Sequence, residues 1–128
     1  DEIFENKKKK TKLEKYLHTK VKESRNIFLN KYKRKQVVFL DIPLLFENKL
    51  QNICTHICST IAPLKIRKMR ALKRPGMNKK LLNAIIRSQV NDIVRRGGSN
   101  YIINTSKTKK HTHLQVDRII KDVLKKQI

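Results

Sequence analysis

The segment at residues 37–43 constrains the fold of this chain more than any other part of its sequence. It reads Val-Val-Phe-Leu-Asp-Ile-Pro: four apolar residues, mostly favoured in β-strands, come directly before Asp41, and Pro43 stops further strand pairing. Continuous apolar runs are typical of strands buried on both faces of a parallel sheet. Ligands of open α/β sheets bind at the carboxyl edge of such strands. The segment therefore predicts a buried parallel strand over residues 37–41 that delivers the Asp41 carboxylate to a ligand-binding edge.

The remaining sequence alternates between strand patterns and helix patterns. Residues at three- and four-residue spacing, all apolar except Ser24, predict an amphipathic helix within residues 1–36 (Leu13, Leu17, Val21, Ser24, Ile27, Phe28). Two more strands are predicted at residues 55–61 and 101–104. Further helices are predicted at residues 44–52, 64–74, 78–96 and 113–127, with Asn78 as a cap and Gly97-Gly98 as a stop. This alternation predicts an α/β layered fold.

The chain is strongly basic, with a formal net charge of +22 over 128 residues. One interpretation is an electrostatic footprint for a polyanion such as nucleic acid or anionic lipid. The other is compositional drift, because the codons for Lys, Ile and Asn are AT-rich. The lysines are spread along the whole chain, which favours drift, since a dedicated binding surface clusters them on one face. A basic nucleic-acid-binding protein remains the alternative function, although no helix-turn-helix, zinc-finger or RNP pattern is present.

Cysteine usage and hydropathy indicate a reducing, cytoplasmic environment. The chain has two cysteines, and no apolar run approaches the ~20 residues that span a bilayer. Cys54, His56 and Cys58 alternate, as on one face of a strand. Zinc usually takes four ligands, and the other histidines are remote in sequence, so a face of small residues is favoured over a metal site. The chain begins with Asp1 rather than Met, which suggests a piece cut from something longer.

Residues 41–47, Asp-Ile-Pro-Leu-Leu-Phe-Glu, closely resemble the signature of bacterial dephospho-CoA kinases. This heptapeptide is fairly specific, and further matches follow in the family's order over nearly all of residues 13–105. They are Leu17-His18-Thr19, Ala62-Pro63, Arg70 and Arg74 followed by Pro75-Gly76-Met77, Ala84-Ile85-Ile86 with Gln89, and Ile103-Asn104. The chain departs from the family pattern at Thr19 (usually Pro), Arg67 (often Gln) and Ser99-Asn100 (usually Ala-Asp).

The resemblance implies an α/β fold of the P-loop kinase type, like nucleoside monophosphate kinases, with a three-layer parallel sheet that is incomplete in this chain. It also divides the chain into four parts. They are a helical part of the acceptor (CoA) binding region at 1–36, core strands with the heptapeptide at 37–63, lid helices at 64–96, and the last core strand with a C-terminal helix at 97–128.

The implied activity is transfer of the γ-phosphoryl group of ATP to the 3′-hydroxyl of dephospho-CoA, the last step of coenzyme A biosynthesis. Such a transfer needs positioned phosphates, Mg²⁺, neutralising cations and a group that orients the acceptor hydroxyl. The implied ligands are therefore ATP, Mg²⁺ and dephospho-CoA, with neither a specific nucleic acid nor a membrane as partner.

The resemblance assigns catalytic roles to Asp41, Arg70 and Arg74. Asp41 is placed like a Walker-B acid, which would hold Mg²⁺ through water or orient the acceptor hydroxyl; alternatively it only caps the following turn. Arg70 and Arg74 lie four residues apart, on one face of a predicted lid helix, and a guanidinium suits phosphate oxygens. The alternative for this pair is a solvated basic face. We expect all three side chains to face one cleft.

Further site residues are implied on the substrate side. His18 lies in the helical region that would bind the acceptor, and Pro43, Leu44 and Glu47 of the heptapeptide are the other expected acceptor contacts. Asn104, after the last predicted strand, is expected to contact the nucleotide.

A P-loop is missing from these 128 residues. The pattern requires two glycines five residues apart, followed by Lys and Ser or Thr. The three glycines, Gly76, Gly97 and Gly98, do not form it. We therefore expect the chain alone to be inactive and a separate or upstream P-loop segment to be its partner.

Overall fold

The computed structural model describes residues 7–126 of the chain. It divides into two units, residues 1–40 and residues 41–128, of which the first is described from residue 7 and the second to residue 126. Within the described residues, no helix has both the length and the apolar character needed to cross a bilayer.

The first unit is built on one long helix, α1 (Lys7–Lys31). Its sequence has neither Gly nor Pro, so nothing interrupts the backbone ladder. The predicted helix within residues 1–36 is confirmed over this range, and residues 1–6 lie outside the described part of the chain. The apolar stripe is exposed within the unit, with Val21 63% and Ile27 69% accessible. The exposed pair Lys20–Glu23, at 2.9 Å, lies on the same helix.

The strand predicted at residues 37–41 does not form. Residues 37–42 are neither helix nor strand, Phe39 is 66% exposed and Asp41 is exposed. A strand exists only through its hydrogen-bonded ladder with a neighbour. Among residues 7–126 the only ladder joins two other segments, so this apolar run has no strand partner there.

The short helix predicted at residues 44–52 is also replaced. The chain turns over residues 43–49, and a single 3₁₀ turn follows at Gln51–Ile53. The reason lies in two left-handed backbone positions, Leu44 (φ 55°) and Lys49 (φ 53°), because a right-handed helix cannot pass through such a residue. The Leu44 carbonyl accepts two hydrogen bonds from Asn48, from its backbone N–H and its side-chain amide, both at 3.0 Å.

The second unit contains a two-stranded parallel sheet. β1 (Cys58–Ile61) pairs with β2 (Tyr101–Asn104), with Cys58 opposite Tyr101 and Ile61 opposite Asn104. β2 is the strand predicted at residues 101–104, whereas β1 begins three residues later than predicted, so Cys54 and His56 precede it. The core is small and apolar, and among the residues whose burial is described Ser59 is the one polar residue buried with it. Its apolar members are Ile57, Ile61, Ala62, Leu82 and Ile103.

Three helices connect the two strands: α2 (Leu64–Leu72), α3 (Lys79–Ser88) and α4 (Asp92–Gly97). Asn78 caps α3 as predicted, accepting from the N–H of Leu81. The single helix predicted over residues 78–96 is wrong, because Gln89 and Asn91 are extended and the Asn91 side chain caps a new helix by accepting from Val94. Gly98 ends that helix, as predicted.

The last helix, α5 (Lys109–Lys125), confirms the predicted C-terminal helix over residues 113–125 and begins four residues earlier. Thr108 sets this start, since its hydroxyl accepts the N–H of His111 at 3.2 Å. α5 packs against β2, which places a helix beside the last strand of the sheet.

Candidate functional site

The carboxyl end of the sheet is closed by Arg70 of α2. Its guanidinium donates to the carbonyl oxygen of Thr105 at 2.7 Å and to the Thr105 Oγ1 at 3.4 Å. Thr105 directly follows β2, and its own N–H donates to the carbonyl of Ile61, the last residue of β1, at 2.8 Å. Arg70 therefore lies beside the carboxyl ends of both strands, the edge at which ligands of α/β sheets bind.

Arg74 is placed differently from the sequence prediction. α2 ends at Leu72, and Arg74 is an exposed residue of the turn that follows. The Arg74 backbone N–H donates a hydrogen bond to the Ala71 carbonyl at 3.0 Å. The expectation that Arg70 and Arg74 share one helix face is wrong, because the helix does not reach the second arginine. Whether Asp41, Arg70 and Arg74 face one cleft stays a prediction.

The segment after β2 is held by an amide that sequence reasoning missed. The Gln115 side chain on α5 accepts the N–H of Asn104 and donates to the Asn104 carbonyl, both at 2.9 Å. These are the two bonds that a neighbouring strand would make, so the side chain stands in for a strand at this edge. The Asn104 side chain accepts the N–H of Ser106 at 2.9 Å and shapes the turn that follows.

The two ends of the heptapeptide differ in their surroundings. Asp41, Pro43 and Leu44 are exposed, as a group that meets a ligand must be. Glu47 is half-buried, and its Oε1 accepts the backbone N–H of Val90 at 2.9 Å, at the break between α3 and α4. The Glu47 carboxylate therefore fixes this junction, and its expected contact with the acceptor stays a prediction.

Phe46, beside Glu47, packs over the end of α4. A Cβ added at Gly98 would collide with Cε1 of Phe46 and lie 3.2 Å from its Cζ. The lack of space beside the Phe46 ring therefore explains why residue 98 is a glycine. Its backbone angles are ordinary (φ −93°, ψ 3°) and would allow another residue.

A shared carboxylate joins α2 to α4. Asp92 Oδ2 lies 3.1 Å from an Nη of Arg67, and its other oxygen contacts Arg95. The Nε atoms of both arginines are buried and have no hydrogen-bond partner among the described residues. The single Asp92 carboxylate is thus the ion-pair partner of two guanidinium groups.

His18 lies on α1, in the first unit, and is exposed. Its expected role at the acceptor stays a prediction. Within residues 7–126, no three His, Cys, Asp or Glu side chains lie close enough together to hold a metal ion. Cys54, His56 and Cys58 therefore do not form such a group. Burial raises the pKa of the Cys58 thiol.

A second polar cluster lies at the amino end of β2, away from the carboxyl edge. The Tyr101 hydroxyl donates to Asp122 at 2.7 Å, and the Lys126 ammonium lies 2.8 Å from the same carboxylate oxygen. These two donors, Lys126 first, lower the pKa of Asp122. The hydrogen bonds with Asp122 raise the pKa of Tyr101 and of Lys126. The cluster fastens the end of α5 to the start of β2.

We expect this cluster to make stability depend on pH. A lowered carboxyl pKa stabilises the fold above the unfolded value near 3.8, and the effect is lost as the pH falls through the folded value. Raised Lys and Tyr pKa values stabilise below their unfolded values, 10.5 and 10.0, and the effect is lost as the pH rises through the folded ones. Asp122→Asn should therefore lower the urea midpoint between about pH 5 and 9, and the difference from the parent chain should shrink as the pH falls below 3.8 and through the lowered folded-state pKa of Asp122.

Asp117→Asn, at an exposed carboxylate on the same helix, is the matched control for this titration. A midpoint difference for Asp122→Asn that does not shrink as the pH falls below 3.8 would show that the carboxylate charge is not what stabilises the cluster.

Comparison with known proteins first establishes the class of fold. The structure is similar to that of a dephospho-CoA kinase from Campylobacter jejuni, with a TM-score of 0.68 at 20% sequence identity, over 98% of this chain and 63% of that one. The fold is thus α/β, as the alternation of strands and helices predicted, and of the P-loop kinase type, as the family resemblance implied.

Sequence comparison then gives the family. The family model described as dephospho-CoA kinase matches residues 1–111. A dephospho-CoA kinase of Bartonella quintana (strain Toulouse) is 40% identical over 115 residues, which are 88% of this chain and 59% of the relative. That of Bartonella henselae is 36% identical over 125 residues, 96% of this chain and 64% of the relative. The chain belongs to the dephospho-CoA kinase family, a family of phosphotransferases, and spans about three fifths of the length of these relatives.

Proposed function

We propose that this chain supplies the lid and the acceptor-binding part of a dephospho-CoA kinase, which transfers the γ-phosphoryl group of ATP to the 3′-hydroxyl of dephospho-CoA. The observation that carries the proposal is Arg70, a fixed cation at the carboxyl edge of both strands in a chain of this family. Catalysis of phosphoryl transfer is almost entirely positioning and electrostatic stabilisation, so a guanidinium at this edge suits the reaction.

The roles we assign follow from charge and exposure. Arg70 would exchange its Thr105 carbonyl for phosphate oxygens, which form stronger, charge-assisted hydrogen bonds. Arg74, exposed on the turn after α2, would add a second cation when the lid closes. Asn104 would meet the nucleotide, and His18, Pro43, Leu44 and Glu47 the acceptor.

Asp41 is the group that would hold Mg²⁺ or orient the acceptor hydroxyl. Its carboxylate is exposed, and Mg²⁺ bound with substrate phosphates typically takes only one or two carboxylates from the protein. A single acid is therefore a chemically adequate ligand set here. When bound, Mg²⁺ neutralises charge that develops on the transferred phosphoryl group. The alternative that Asp41 only caps the turn remains open.

We further propose that the P-loop comes from residues outside these 128, either upstream in the same polypeptide or on a separate fragment. The apolar run at residues 37–41 supports this, because it has no ladder partner among residues 7–126 and exposes Phe39. The greater length of the relatives supports it too. The added strand would pair by β-augmentation. We place the reaction in the cytoplasm. None of the comparisons supports the nucleic-acid alternative.

The test is CoA formation from dephospho-CoA and Mg-ATP. Residues 1–128 alone should give no turnover. We expect turnover in the ordinary kinase range, roughly 1–100 s⁻¹, when the amino-terminal part of the Bartonella quintana relative is fused ahead of Asp1. The matched control is the same fusion with the P-loop Lys replaced by Met.

Two outcomes would count against the proposal. A folded fusion that binds ATP yet makes no CoA would reject the function, and turnover by residues 1–128 alone would reject the requirement for a P-loop. Asp41→Asn in the active fusion separates the two roles of that residue. A loss of about 10²-fold or more in kcat fits a role at the reacting groups, and an unchanged kcat fits the turn cap.

A further inference from the structure

The short helix α4 is attached to the heptapeptide at both of its ends. Before its first turn, the Val90 N–H donates to Glu47 at 2.9 Å, and after its last turn Gly98 lies beneath the Phe46 ring. Ser99, the next residue, shares a 2.7 Å hydrogen bond with the buried Ser59 of β1. The position of α4 is therefore set by the heptapeptide and the sheet.

Asp92, the first residue of α4, connects α4 to α2. Asp92 forms an ion pair with Arg67 at 3.1 Å, and the two side chains are each 35% accessible, so most of the pair is shielded from water. Arg67 is three residues before Arg70, which places both guanidinium groups on neighbouring positions of one helix face. α2 thus has two polar anchors, Arg70 on Thr105 and Arg67 on Asp92.

We propose that Asp92 is a positioning residue for phosphoryl transfer: by anchoring Arg67, it fixes α2, and hence the Arg70 guanidinium, relative to the heptapeptide that carries Asp41. The inference rests on the proposed function for the role of Arg70, but the anchoring itself does not. When Arg70 leaves the Thr105 carbonyl for a phosphate, the Asp92 anchor is the polar contact that keeps α2 in place.

The charge arrangement makes this anchor depend on Asp92. The Nε atoms of Arg67 and Arg95 are buried without a hydrogen-bond partner in the described chain, so the carboxylate is the shared counter-charge of both. Without it, two guanidinium groups that now bind one carboxylate would be left without their counter-charge, and like-charge repulsion would weaken the contact between α2 and α4.

A purely local role for Asp92 gives a different expectation. An acid in the first turn of a helix stabilises that helix through its dipole. Loss of that effect would loosen α4 alone, whereas loss of the anchor would loosen α2.

The test uses the double substitution Arg67→Gln with Asp92→Asn, which removes the Arg67–Asp92 ion pair, and with it the Asp92–Arg95 contact within α4, without changing the net charge. The matched control is Lys20→Gln with Glu23→Gln, a charge-neutral removal of the exposed pair on α1. Hydrogen exchange of α2 amides, measured on residues 1–128, should be about fivefold faster in the double variant, as expected for one partly exposed charge-assisted pair. It should be unchanged in the control, and Asp92→Glu should keep the slow exchange.

A second experiment measures tripolyphosphate binding from the shift of the NMR signal of the Thr105 backbone amide. The double variant should raise the Kd at this site about fivefold. In an Arg70→Gln background it should have no further effect, because the anchor acts through Arg70; a purely structural loss would add to that of Arg70→Gln.

Unchanged α2 exchange, or faster exchange in α4 alone, would overturn the anchoring. An additive loss of tripolyphosphate affinity would overturn the positioning role. If tripolyphosphate leaves Thr105 unshifted in the parent chain, the proposed phosphate role of Arg70 fails, while the exchange of α2 amides still decides the anchoring.

Discussion

Replacing Gly98 by Ala is expected to destabilise the chain by about 2 kcal/mol, within the usual range for overpacking. The added methyl would collide with the Phe46 ring and would also lie 3.3 Å from the Val94 carbonyl oxygen. The ring cannot easily move aside, because the next residue, Glu47, is held on the Val90 N–H. The unfolding free energy from urea denaturation is the measurement.

Gly97→Ala is the matched control. Gly97 is the last residue of α4, and a Cβ there meets no atom within 4 Å. Alanine loses less backbone entropy than glycine in a helix, so this variant should be neutral or more stable by up to about 1 kcal/mol. Equal stabilities for the two variants would show that Phe46 does not pack on Gly98. In a chain that already carries Phe46→Ala, Gly98→Ala should be nearly neutral, because the ring that it would collide with is gone.

Replacing Gln115 by Met should cost about 2–3 kcal/mol, because it leaves both backbone groups of Asn104 without their partner. A part-buried donor or acceptor left unmade costs roughly 1–3 kcal/mol, and Met keeps the length of the side chain, so little packing is lost. The Asn104 amide should exchange with solvent at least about tenfold faster, since 1.4 kcal/mol corresponds to a factor of ten.

Gln115→Glu separates the two bonds. A carboxylate still accepts the Asn104 N–H but cannot donate to the Asn104 carbonyl, so the loss should be intermediate and the Asn104 amide should stay protected. If Gln115→Met left exchange at Asn104 unchanged, the side chain would not be acting in place of a strand.

The parts of the fold that the sequence predicted well are those governed by neighbours along the chain. The Asn78 cap and the helix end at Gly98 are examples, since both depend on local backbone chemistry. β2 is also correct at residues 101–104, because the partner that it needs, β1, lies within the chain. The break before α4 was missed although Asn91 followed by Asp92 is a typical cap and first turn. The strand at residues 37–41 was wrong for a different reason: a strand needs a partner, and its own residues cannot supply one.

The candidate site was predictable only in its residue types. The heptapeptide and Arg70 were found from the sequence, and the family comparison agrees with that resemblance. The contacts that hold them were missed, because Glu47 and Val90 are 43 residues apart and Arg67 and Asp92 are 25 apart. No spacing rule links such pairs. In the sequence, Gln115 is a polar residue of an amphipathic helix like its neighbours. Its hydrogen bonds to the Asn104 backbone become evident only from the position of β2 beside α5.

The parallel pairing of β1 with β2 has a consequence for how the protein reaches this structure. The hydrogen bond from Ile57 to Asn100, just before the two strands, spans 43 residues. Closing a loop of that length costs roughly 3 kcal/mol of chain entropy beyond a constant term, and contacts of such sequence separation form slowly. At a synthesis rate of about 5–20 residues per second, β1 leaves the ribosome about 2–9 s before its partner exists. Throughout that interval both edges of β1 are open to other nascent chains, so the yield of folded protein should depend on chaperones that shield it until β2 and the Gln115 side chain arrive.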